Sequence, residues 1–245
     1  MKKKITMIGV AHMDQHIEGR LETAFESIQP DAVALEYPGE KFDAFSESPE
    51  VQDFLSASRE RLVQLFERHG LPSESLFEGL YGAEINVCRE LCEKKGIPII
   101  YTDSPAHMIG MSRALMAHAD PLFDILEAQM SDPHYVRFMT DHEAYSRLQD
   151  GLYELWVPHF RRSIINDGLR RQVAECVQDG TISYKRDGIQ EGKIRRYMGR
   201  NPSSRLLTVG GLAHLADVPD VRTLFARLRE DVENRFAAIE FTGRN

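Results

Sequence analysis

Residues 4–16 read KITMIGVAHMDQH, and the fold turns on how this stretch is read. The apolar run over residues 4–11 is short, β-branched in places, and closed by Gly9 and His12. That is the pattern of a buried strand. Asp14 is placed to cap a helix, in which Ile17, Leu21, Ala24, Phe25 and Ile28 recur at helical spacing until Pro30. Residues 31–36, DAVALE, form a second short apolar run ending on Glu36. Strand, crossover helix and strand in that order predict parallel neighbours joined with right-handed connectivity.

The same alternation continues along the chain. Ser48-Pro49-Glu50 is a helix start with proline in the first turn, followed by an apolar stripe of Val51, Leu55, Leu62, Leu65 and Phe66 up to Gly70. A helix is expected over about residues 75–95, stopping at Gly96. Residues 97–103, IPIIYTD, then read as a third strand ending on Asp103. Residues 120–178 read as mostly helical, with breaks at Pro133 and Pro158. Residues 180–204 combine Gly180, Gly188, Gly192, Gly199 and Pro202 with many cations, and predict a loop or mobile connection. Residues 205–214, RLLTVGGLAH, form a fourth strand ending on His214. A final helix is expected over 219–235, with AAIEF as a short edge strand. The expected fold is therefore α/β: one domain over residues 1–245, with a central, mostly parallel (mixed) sheet flanked by helices. Residues 104–204 would be a helical insertion and basic connection within it.

Composition excludes several functions. The 245 residues carry a formal net charge of -8, which disfavours general nucleic-acid binding, because phosphate contacts need clustered lysine and arginine. Three cysteines make no disulfide framework and fit a reducing cytoplasm. Cys88 and Cys92 share a helix face, which reads as helix core before it reads as a zinc pair. No stretch is long and apolar enough for a membrane span, and MKKK is followed by too short an apolar run to be a signal peptide.

Four predicted strands end on His12, Glu36, Asp103 and His214. In a parallel α/β sheet the carboxyl ends share one edge, and ligands bind outside it. Two histidines with one or two carboxylates suffice for a divalent ion with an open water position. His16, four residues beyond His12, is a weaker candidate. Gly9 and Gly211 each stand three residues before a histidine and permit close approach to the backbone.

These motifs, "IGVAH", "DAVALE", "YGAEINVCRELCEKKGIPIIYTD" and "VGGLAHL", resemble the TraB/Tiki superfamily, which also includes erythromycin-esterase-like and ChaN-like haem-binding proteins. The shared pattern falls on Gly9 and His12, Glu36, Gly82 and Glu84, Asp103, and Gly211 and His214. It runs along most of the chain, with a looser match in the helical middle. The resemblance implies a helix-flanked sheet and a site built from the two histidines and Glu36. Tiki-type relatives are regarded as metal-dependent proteases, and erythromycin esterases as hydrolases using the first histidine as a base. The chain departs from many TraB members in having Asp103-Ser104 where they have Asp-Arg. Asn166-Asp167 stands where they have Arg-Asp, the next cations being Arg170 and Arg171, and no membrane tail follows.

The leading expectation is thus a cytoplasmic metal-dependent hydrolase acting on a small molecule or peptide. His12, Glu36 and His214 would hold an ion such as Mn, Co or Zn. Glu84 would act as base or support, Asp103 would orient a ligand or water, and Arg170 would stabilise an anion. Without a metal, His12 would itself be a general base oriented by Glu36. The alternative is a non-catalytic protein binding haem or another small ligand, with Met7, Met13, Met108 and Met111 near the predicted edge. Two further features are singled out. Lys185, Arg186, Lys193, Arg195, Arg196 and Arg200 form either a solvated face or a flap that reads an anion, and Trp156 is either helix packing or a homodimer anchor.

Overall fold

The computed structural model describes residues 4–12, 14–70 and 82–242. Along the chain these form β1 (Ile5–Val10), α1 (Ile17–Ile28), β2 (Ala32–Leu35), α2 (Glu40–Ser46), α3 (Pro49–Arg68), α4 (Ala83–Lys95), β3 (Ile99–Tyr101) and α5 (Pro105–Ala117). They continue with α6 (Ala119–Met130), α7 (Pro133–Thr140), α8 (His142–Arg162), α9 (Asp167–Gln178), α10 (Tyr184–Arg200), β4 (Leu206–Gly211), α11 (Leu224–Leu228) and β5 (Val232–Ala237). Short 3-10 turns cover Leu212–Leu215 and Ala238–Phe241.

The chain divides into two compact units. The first, residues 1–37, 79–103 and 149–245, holds the sheet. Its strand order is β3-β2-β4-β1-β5, and every pairing is parallel. The α/β expectation holds, without an antiparallel member among the described strands. β4, last but one in the chain, lies between β1 and β2 and pairs Gly210 with Gly9, Gly211 with Val10 and Val209 with Leu35. All the residues of β1, β2 and β4 are buried, which is why they carry continuous apolar runs instead of alternation. The second unit, residues 38–78 and 104–148, is helical where described, with Leu65 and Phe66 packed on Met130.

Several local readings change. Residues 149–204 group with the sheet and 104–148 with residues 38–78, so the anticipated 104–204 insertion is divided. The expected loop over 180–204 is mostly helix α10, started by the Ser183 side chain accepting from the Arg186 N–H. Its glycines are tolerated because one face is buried through Asp187, Gln190 and Ile194. Pro158 sits inside α8 without ending it, while Pro133 starts α7. The expected 219–235 helix shrinks to α11, and the edge strand is β5, which takes in only Ala237 of AAIEF, the remaining Ala238–Phe241 forming a 3-10 turn. The first part of the helix expected from Ser75, up to residue 81, lies outside the described residues, as does Met13. Trp156 is buried in the core, its Nε1–H donating to Gln172 Oε1 at 3.0 Å. Among the described residues no helix is long and apolar enough to cross a membrane.

Candidate active site

The carboxyl ends of the strands bring the predicted groups together. Glu36 follows β2 directly, and the β2–β4 register sets its side chain over Gly210. A Cβ on Gly210 would stand 2.6 Å from Glu36 Oε2, so only glycine admits the carboxylate there. Glu36 Oε2 accepts the Gly211 N–H at 2.7 Å. Its Oε1 meets His214 Nε2 at 3.0 Å and accepts from Arg186 Nη2 at 2.6 Å. Gly211 plays the matching part for the first histidine: a Cβ there would be 3.2 Å from His12 Nε2 and 3.7 Å from His214 Cδ2.

His214 is carried by the 3-10 turn after β4 and is 1% exposed. Its Nδ1 faces Asp187 Oδ1 at 3.0 Å while Nε2 faces Glu36. Both nitrogens therefore point at carboxylates, the arrangement of an imidazolium donating twice. Burial opposes that charge, yet Glu36 and Asp187 outweigh it and raise the pKa to about 10. Arg186 Nη1 also lies 3.4 Å from His214 Nε2. The shorter contact to Glu36 assigns the proton to the carboxylate side. For Glu36, burial opposes ionisation, but His214, Arg186 and His12 together hold its carboxyl far below the usual carboxylate range.

Asp103, two residues past β3, is held by a guanidinium fork, with Arg186 Nε to Oδ1 at 3.0 Å and Nη2 to Oδ2 at 2.7 Å. Lys193, two turns along the same helix, donates to Tyr101 O at 2.9 Å and Asp103 O at 2.5 Å. Burial lowers its pKa. Two members of the basic cluster thus tie α10 to the end of β3. Arg195 instead pairs with Glu191 and Asp231.

His12 differs from the other groups. Its side chain is 51% exposed, and Nδ1 meets Glu84 Oε1 at 2.8 Å. Glu84 lies in the first turn of α4, behind Gly82 at φ 77°, a left-handed cap that favours glycine. The hydrogen bond to Glu84 raises the His12 pKa against the opposing pull of burial, with Glu36 adding to the rise. The turn that carries His12 is anchored from below. Tyr153 OH accepts the Ala11 N–H at 2.9 Å and donates to Asp14 Oδ2 at 2.7 Å. Arg20 binds Asp14 at 2.7 Å and Asp150 at 2.9 Å. Asp14, expected as the helix cap, stands two residues before the actual N-cap, His16, whose N–H it accepts, and it is instead a buried ion-pair member. His16 is exposed at the start of α1.

His12, Glu36, Glu84, Asp103 and His214 are therefore brought to one edge. Arg170 is not among them: it is exposed on α9. The guanidinium at this edge belongs to Arg186, one of the cluster read as a solvated face or an anion-reading flap, and Asp187 beside it holds His214. Both sit in the segment whose glycines and charges read as loop. The available signal was Ser183 followed by apolar Ile194 and Tyr197 at helical spacing.

A divalent ion held by His12, Glu36 and His214 does not fit this arrangement. His214 turns no lone pair toward open space, and the Glu36 oxygens already take three donors. Among the described residues no group of three His, Cys, Asp or Glu side chains is disposed to hold a metal. Cys88 and Cys92 are core residues of α4, with burial pushing both thiols up. Of the methionines considered for haem, Met7 is fully buried in β1, and Met108 and Met111 lie on α5 in the second unit.

No family model matches the chain, and no curated protein matches it. One solved structure, a mutant of the erythromycin esterase EreC in its open conformation, is distantly similar: TM-score 0.40 and 16% identity, covering 96% of this chain and 69% of that one.

Proposed function

We propose that the protein is a hydrolase in which His12 activates water as a general base and Glu84, not Glu36, orients it. One observation carries the reading. Among the groups gathered at the edge, His12 alone combines a half-exposed imidazole, a ring nitrogen held by a carboxylate, and a second nitrogen directed to the cradle at Gly211. With Nδ1–H donated to Glu84, Nε2 carries the lone pair that accepts a proton. Glu84 raises the basicity of that nitrogen. It also stabilises the imidazolium formed when water gives its proton to His12 Nε2 as the water oxygen attacks an acyl carbon. Glu36, His214, Asp187, Arg186 and Asp103 form the rigid, charge-paired floor beneath it. The TraB/Tiki-like motifs support the same residues, with the ion left out of the chemistry.

Hydrolysis of nitrophenyl acyl esters, used as general acyl probes, tests this reading. The wild-type rate should rise with pH through a pKa above the ordinary histidine value of 6.5, and His12→Ala should abolish the catalysed rate. Glu84→Gln should lower the rate by about 10²–10⁴, the usual size of a general-base contribution. The His12 pKa read by NMR should fall in the same variant. A His12→Ala protein as active as wild type would refute the assignment.

A further inference from the structure

We propose that Arg186 is the resident cation of this site. Its guanidinium fills the place among Glu36, Asp103 and His214 that a divalent ion would take, so the wild-type chain binds no ion there. Removing the guanidinium opens a carboxylate–imidazole site for one. The inference goes beyond the hydrolytic reading and does not depend on it.

The geometry is that of a finished site. Arg186 Nε donates to Asp103 Oδ1, Nη2 to Glu36 Oε1 and Asp103 Oδ2, and Nη1 to Thr181 O, with His214 Nε2 at 3.4 Å. These contacts engage all three guanidinium nitrogens, so the group neutralises the strand-end carboxylates and is not a free donor for substrate. An arginine cannot lose its proton to make way for a metal. An ion would have to take the same Glu36 and Asp103 oxygens while lying beside a fixed positive charge in a largely buried place. Once the guanidinium is gone the donor types suit Zn, Co or Mn: two carboxylates at the ends of adjacent strands, and one imidazole whose Nε2 proton the ion would displace while Nδ1–H stays on Asp187. The helix that delivers Arg186 is held independently by Lys193 on the end of β3, so its backbone keeps its place when the arginine is shortened.

The test is metal content of the full chain. Wild type, Arg186→Ala and the Arg186→Ala/His214→Ala double variant are purified without chelator, dialysed against zinc and assayed by elemental mass spectrometry. Each is also titrated with cobalt and read by visible absorbance. Wild type should carry no zinc above the dialysis blank. Arg186→Ala should gain one equivalent and the cobalt absorption of a low-coordinate site, and the double variant should lose both. A wild-type protein carrying one equivalent of zinc would overturn the proposal. So would a folded Arg186→Ala protein that binds no more zinc than wild type. Should Arg186→Ala fail to fold, Arg186→Gln replaces it and is read the same way, and the wild-type measurement decides whichever variant folds.

Discussion

Placing alanine at Gly210 tests the account of the site floor. The added Cβ would meet Glu36 Oε2 at 2.6 Å and Glu36 Cβ at 3.4 Å. A contact of 2.6 Å is harmless when the opposing atom ends a flexible side chain. Here that atom is pinned by the Gly211 N–H at 2.7 Å, and its partner oxygen by Arg186 and His214. Swinging Glu36 aside would break a largely buried ion pair, a loss of about 3–5 kcal/mol. The cheaper response is a shift of the β4 backbone, and overpacking of that kind costs about 1–3 kcal/mol. Gly210 has no positive φ, so alanine also gains about 0.5–1 kcal/mol from the stiffer unfolded chain. Those ranges leave about 0–2.5 kcal/mol of destabilisation, centred near about 1 kcal/mol. For a chain of this length the central value lowers Tm by about 2–4 °C. Gly192→Ala is the control. Gly192 lies in α10 with nothing within 4 Å of its would-be Cβ, and alanine there should stabilise by about 0.5–1 kcal/mol. Thermal and urea unfolding of both variants decide the matter. If Gly210→Ala unfolds at or above the wild-type temperature, Glu36 is not held as described.

Three further outcomes follow from the same contacts. His159 is fully buried as a neutral ring, Nε2 accepting the Asp217 N–H at 2.8 Å and Nδ1 facing Ile164 O at 3.2 Å; burial, then Arg235, lowers its pKa. The unfolded chain therefore takes up this proton first, and stability is lost as pH falls below about 6.5, by up to about 1.4 kcal/mol per pH unit. Stabilisation from the raised groups His12 and His214 instead grows as pH falls through the unfolded value of about 6.5, the opposite sign, so the His159 contribution is the acid-side loss that disappears in His159→Gln when both proteins are unfolded in urea between about pH 6.5 and 5. Tyr153→Phe strands the Ala11 N–H and one Asp14 contact in the core and should cost about 1–3 kcal/mol in urea unfolding, with a shift of the His12 ring resonances by NMR. Thiol reagents should reach the half-buried Cys176 first and label Cys88 and Cys92 at the rate of unfolding, because both are buried and their thiol pKa values are raised; fast labelling of either in the native protein would contradict their place in the core.

The sequence by itself determined the sheet and which residues stand at its edge. Short apolar runs alternating with helical periodicity fix a parallel order of elements, and a parallel order sends every strand's carboxyl end to one side. That was enough to place His12, Glu36, Asp103 and His214 near one another without a coordinate. It also made the glycines before each histidine legible as places of close approach, although only the β2–β4 register shows that the approaching atom at Gly210 is Glu36 Oε2.

What the tertiary structure decided was how those groups are paired. Glu36 reads as the partner of His12 by proximity along the edge, but the hydrogen bond goes to Glu84 on α4, and Glu36 serves His214 and Arg186. Arg170 was the nearest cation to the expected element in the sequence, and Arg186, 150 residues from Glu36, is the one that arrives. The reason lies in α10. Its buried face is Asp187, Gln190 and Ile194, two polar residues and one apolar, so the periodicity that reveals other helices is masked where the helix meets the site. Hydrophobic pattern reports burial against an apolar core, whereas a helix buried against charges is recognised only once its partners are in place.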